Sequence, residues 1–169
     1  MSSAPTNPDP QRPDPAASDR ATARSARTRA AALAAAAVTV VAGLGLRAVA
    51  AGESAKSGGD ALYTVLLLTL TVACAPRLSP ARAATIALAA CWAVEFLQLG
   101  PLPAELSRRS TLARLVLGST FNAPDLAWYA VGAAAGWLVH SALRRAGRRT
   151  VQGILRPRAA RGRLVPHDR

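Results

Sequence analysis

The 169-residue chain carries 21 Lys and Arg against 9 Asp and Glu, a net charge of +12, and is 51% hydrophobic but only 4% aromatic. Alanine supplies much of the apolar count, so a water-soluble core built from it would be short of large side chains. Charges crowd into residues 1–29 and 144–169, which points to a bilayer as solvent for the middle, and the arginines flank apolar stretches, which argues against nucleic acid.

Residues 1–29 hold Pro5, Pro8, Pro10, Pro13 and Pro15 among Ser, Asp and Ala, then turn basic from Arg20 to Arg29. With little to bury, this segment is expected to be a disordered tail. The first span is predicted over about 30–50, long enough at ~1.5 Å per residue to cross ~30 Å of hydrocarbon, with Arg47 near its far end. A signal peptide competes with this reading, because Ala48-Val49-Ala50 resembles a small-residue cleavage site. The apolar stretch is longer than that role needs, and cleavage would leave three spans in the same orientation.

Gly58-Gly59-Asp60 opens the second span, about 60–76, with Asp60 in an N-cap position. The third runs over about 83–102 and contains one acid, Glu95. Pro101 and Pro103 break it, and residues 111–121 are apolar but too short to cross, so a short interfacial or re-entrant helix is expected in this loop. The fourth span, about 125–143, opens on Asp125 as a second apparent N-cap and stops at Arg144 and Arg145. Residues 145–169 form a basic tail suited to anionic lipid. The fold class is therefore all-α: a polytopic domain, 30–144, between two tails.

The positive-inside rule places both termini in the cytoplasm, against the pull of Arg108, Arg109 and Arg114 in the second outer loop. The second and fourth spans then enter from outside, bringing Asp60, Tyr63, Asp125 and Tyr129 to the outer ends. Glu95, thirteen residues after Arg82, lies about 19 Å along the third span, with Gln98 one turn later. Asp60, Tyr63, Glu95, Gln98, Arg114, Asp125 and Tyr129 thus converge as a candidate polar pocket. A carboxylate inside a span costs ~2.5–3.5 kcal/mol on insertion scales, so Glu95 must face protein or water. It either floors that pocket or ties helices together. The two aspartates read as caps, and the tyrosines as interfacial anchors, in preference to pocket residues.

Gly132 and Gly136 permit close helix approach, within the monomer rather than in a homo-oligomer. His140 is expected to be a hydrogen-bonded residue near the cytoplasmic end. Cys74 and Cys91 read as small buried hydrophobes. No metal-ligand spacing, phosphate loop or nucleophile triad occurs, so no cofactor, metal or catalytic residue is expected.

Several landmarks recur in a known order. They are Gly59-Asp60-Ala61-Leu62-Tyr63, Glu95-Phe96-Leu97-Gln98, Arg114, Leu117-Gly118, Phe121, Asp125-Leu126, Tyr129 and Gly132. Over roughly residues 40–140 the chain resembles a family of small bacterial membrane proteins catalogued as domain of unknown function 2809, itself similar to the VanZ-like group. The resemblance implies a compact four-helix fold in the bacterial cell membrane and no established reaction. VanZ-like proteins are associated with glycopeptide resistance, which implies an envelope role by analogy. Three functions stay open: a binding protein for an envelope or lipid headgroup ligand, a small oligomeric transporter or channel, and an enzyme acting on a lipid-linked substrate.

Overall fold

The computed structural model describes residues 15–112 and 121–161. Among them the regular structure is entirely helical: α1 (Pro15–Val49), α2 (Glu53–Cys74), α3 (Pro80–Leu97), α4 (Pro101–Arg109) and α5 (Ala123–Arg161). Four of these, α1, α2, α3 and α5, are long and apolar enough to cross a membrane. Their surfaces confirm the solvent: Val41 is 70% exposed, Leu44 65% and Leu143 67%, whereas the buried core is small, with Ala83 and Ala87 at 0%. Bundles in lipid are held by close contact of small residues rather than by exclusion of water, and this composition fits that solution. The chain is an integral membrane protein. Threonine hydroxyls within the spans are satisfied locally, Thr39 donating to Ala35 O at 2.8 Å and Thr71 to Leu67 O at 2.7 Å.

The helices alternate in direction. α2 is central, touching α1, α3 and α5, while α3 also packs on α5. The turn from α1 into α2 is short and passes through Gly52, whose φ of 74° lies in the left-handed region that glycine enters without steric cost. At the opposite end Ser79 caps α3, its Oγ accepting from Arg82 N at 3.3 Å, and Pro80 follows at the first helical position, where its missing N–H costs nothing. Arg144 of α5 donates to Leu78 O in this turn at 2.8 Å and so ties the two elements together.

Several boundaries differ from the sequence reading, each for a physical reason. Residues 15–29, expected within a disordered tail, are the first turns of α1; residues 1–14 lie outside the described residues. The segment is rich in Ala and Arg, propagates from an apolar helix already nucleated, and its hydroxyls bond back to the main chain, Thr22 to Ser18 O and Thr28 to Arg24 O. α2 starts at Glu53, so Asp60 is not its cap but lies in its second turn. The 22-residue helix, about 33 Å long, removes the shortness expected of this span. Asp125 is likewise inside the first turn of α5, after Asn122 at the boundary. α3 ends at Leu97, short of the expected 102, and Pro101 begins α4, which contains Pro103 and in which Glu105 pairs with Arg108 and with Arg109, the latter at 2.9 Å. The interfacial or re-entrant helix expected over 111–121 falls largely on residues 113–120, which lie outside the described ones.

Candidate functional site

The alternation brings the N-terminus of α2, the C-terminus of α3 and the N-terminus of α5 to one end of the bundle. Two main-chain features fix the geometry there. Adjacent residues of α3, Glu95 and Phe96, hold the chain as it returns to α5: the Phe96 and Phe121 rings stack with centroids 6.4 Å apart, and Asn122 N donates to Glu95 Oε1 at 2.6 Å. Across the same end, Gly132 of α5 lies so close to α2 that a Cβ built on it would stand 2.9 Å from Ala61 Cα and would overlap the Ala61 carbonyl. Main chain therefore meets main chain between α2 and α5.

Glu95 is 1% exposed and both its oxygens are engaged, Oε2 accepting from Tyr129 Oη at 3.1 Å. A buried carboxyl satisfied in this way joins α3 to α5 at two points, one of them at the start of the helix. Beside it Lys56 Nζ reaches Asp125 Oδ1 and Oδ2, each at 2.5 Å, and Asn122 Nδ2 also donates to Asp125 Oδ1. Asp125 is 7% exposed, while the Lys56 side chain is 44% exposed, so the pair runs from the interior to the surface. Placement of Asp125 in the first turn of α5 also sets its charge against the positive end of the helix dipole. One turn from Lys56 on the same face of α2, Asp60 has a buried Oδ2 with no hydrogen-bond partner among the described residues.

Of the residues singled out from sequence, Asp60, Glu95, Asp125 and Tyr129 meet in this cluster. Tyr63 lies half-buried on α2, and Gln98 sits at the C-cap of α3, its N–H bonded to the Glu95 carbonyl at 3.1 Å. Arg114 lies outside the described residues. A Cβ on Gly132 would meet the α2 main chain, and one on Gly136 would meet Leu68. Lys56 and Asn122 were not foreseen as members. Lys56 carried a weak signal, the helical spacing Lys56-Asp60-Thr64, but Asn122 contributes its backbone N–H, which no side chain announces.

The rest of the interior is simple. Below the cluster Thr64, 0% exposed, contacts Cys91 Sγ at 3.3 Å, and Trp92 donates to Leu126 O at 3.2 Å. Cys91 is buried, whereas Cys74 is exposed at the end of α2, contrary to the expectation for it. Leu68, Val72, Ala83 and Ala87 then form an apolar core toward the opposite end. His140, expected to be hydrogen-bonded, has a buried Nδ1 with no partner among the described residues. On α4 the guanidiniums of Arg108 and Arg109 hold the Glu105 carboxyl below the usual carboxylate range. No group of three His, Cys, Asp or Glu among the described residues has the geometry to hold a metal ion.

The arrangement can accept hydrogen bonds from a cationic donor. Among the described residues Lys56 is already paired with Asp125, and the buried Oδ2 of Asp60 beside them is unfilled. No curated protein and no solved structure matches the chain. A family model described as "Protein of unknown function (DUF2809)" matches residues 49–133, which run from the end of α1 into α5 and include every member of the cluster. The chain belongs to this family.

Proposed function

We propose that this integral membrane protein binds a primary ammonium group of an envelope ligand, such as an ethanolamine lipid headgroup, at the acidic end of its bundle. The observation that carries the reading is the buried Oδ2 of Asp60, which accepts no hydrogen bond among the described residues and lies beside Asp125 and Glu95. An orphaned buried acceptor costs about 1–3 kcal/mol, and an N–H-bearing cation relieves that cost where a quaternary ammonium cannot. The apolar core of Leu68, Val72, Ala83 and Ala87 favours binding over transport, because among the described residues it follows the Thr64–Cys91 contact on the way from the cluster through the bundle. An acid–base enzyme would have to use Asp60 or Asp125, since Glu95 is enclosed with both oxygens engaged.

In the same reading the protein sits in the bacterial cell membrane with both termini cytoplasmic and the cluster outside. The support is the gathering of Arg20, Arg24, Arg27 and Arg29 of α1, Arg77 and Arg82 of the α2–α3 turn, and Arg144, Arg145, Arg148 and Arg149 of α5 at the other end. These arginines suit the anionic inner leaflet. The VanZ-like resemblance supports an envelope role, by analogy.

The test compares thermal midpoints in nanodiscs of phosphatidylcholine alone and with added phosphatidylethanolamine. Phosphatidylethanolamine is expected to raise the midpoint of the native protein and leave that of Asp60→Asn unchanged. An equal rise in both proteins, or none in the native one, would refute ammonium binding at Asp60.

A further inference from the structure

A second feature of the α3–α5 pair shares no residue with the acidic cluster. Between α3 and α5 runs a shallow cavity of about 310 Å³, lined by Ala84, Thr85 and Leu88 on one side and Ala130, Ala134 and Trp137 on the other. Small side chains leave the space, and Trp137, 39% exposed, forms one wall. The cavity opens on the outer surface of the bundle, where lipid lies.

Its two walls end in arginine. On α5 the row Ala130, Ala134 and Trp137 follows helical spacing and continues along the same face through Ser141 to Arg144 and Arg148. Arg144 is seven residues beyond Trp137, about 10 Å, and Arg148 is eleven beyond, about 16 Å, which is the step from acyl region to headgroup level. On α3 the wall starts at Ala81, next to Arg82. Arg144 uses one N–H on Leu78 O in the turn before α3, which holds it at the mouth of the groove and leaves the rest of its guanidinium fork free to face a phosphate. Arg148 is exposed.

We infer that the α3–α5 groove is a binding site for an anionic phospholipid, its acyl chain against Ala134 and Trp137 and its phosphate held by Arg144 and Arg148. Charge complementarity selects this occupant. A zwitterionic lipid fills the groove equally well but brings no net charge to the two guanidiniums, and a partner helix would leave them unmatched.

Trp137 reports on the site directly. In the full chain with Trp92→Phe and Trp128→Phe, Trp137 is the only tryptophan left of the three. Its fluorescence is followed in phosphatidylcholine bilayers as dibrominated phosphatidylglycerol, or dibrominated phosphatidylcholine, replaces the host lipid. Half-maximal quenching is expected at a several-fold lower mole fraction of the brominated phosphatidylglycerol. Arg148→Gln should reduce that preference about fivefold, the value of one arginine against an anionic lipid, and Arg29→Gln on α1, also exposed but not on either helix of the groove, should leave it intact. Equal quenching by the two lipids overturns the inference. So does an equal loss of preference in Arg29→Gln and Arg148→Gln, which would mean a diffuse surface charge rather than a site.

Discussion

Gly132→Ala is expected to lower stability by about 3 kcal/mol, at the upper end of the ~1–3 kcal/mol that overpacking usually costs. The added methyl would overlap the Ala61 carbonyl, and a helix main chain cannot rotate away as a side chain can. Relief requires α2 and α5 to separate, which also stretches the Lys56–Asp125 pair bridging the same two helices. Gly136→Ala provides the contrast. Its Cβ would stand 2.8 Å from Leu68 Cδ1, the tip of a flexible side chain, so the loss should stay below about 1 kcal/mol. Unfolding of the micelle-embedded protein by titration with a denaturing detergent measures both. Equal losses at the two positions would contradict main-chain contact at Gly132.

Glu95→Ala should be comparably severe, about 3 kcal/mol, because it orphans two donors at once and each buried orphan costs ~1–3 kcal/mol. The donors are Asn122 N and Tyr129 Oη, and losing them frees the start of α5 from α3. Glu95→Gln separates hydrogen bonding from charge. The amide oxygen accepts from Asn122 N while its NH₂ donates to the Tyr129 oxygen, which can accept, so the loss should fall below about 1 kcal/mol. The same unfolding titration reads both variants. A Gln variant as weak as the Ala variant would show that the charge of Glu95, rather than its two hydrogen bonds, holds the bundle.

Four membrane-length helices were legible in the sequence because apolar length and basic flanks are properties of contiguous residues. The gathering of Asp60, Glu95, Asp125 and Tyr129 at one end followed from topology alone, since antiparallel helices bring alternate ends together. The pairing within that end was not legible. Lys56 and Asp125 lie 69 residues apart, and the helical spacing of Lys56 with Asp60 and Thr64 does not say which distant residue it meets. The start of α2 was misread because Gly58-Gly59 looks like a break. Glycine weakens a helix by up to ~1 kcal/mol per residue, but close packing on α1 outweighs that here: a Cβ at Gly58 would come within 2.6 Å of Leu46 Cδ2. The helical state of residues 15–29 escaped composition for the converse reason, that proline and charge suggest disorder while an adjoining apolar helix extends through them. For Glu95 both alternatives, pocket floor and interhelical tie, were open. Its two engaged oxygens favour the tie and move the binding role to Asp60.

The account rests on an acidic end and an arginine-rich end lying on opposite sides of the membrane, and thiol accessibility tests it most directly. Single cysteines at Ser54, Arg77, Ser110 and Thr150, with the exposed Cys74 replaced by serine and the buried Cys91 retained, would be treated in intact cells with a membrane-impermeant maleimide. Labelling at 54 and 110 without permeabilisation, and at 77 and 150 only after it, is the result the four-span arrangement predicts. Labelling of 54 and 77 from the same side would contradict it.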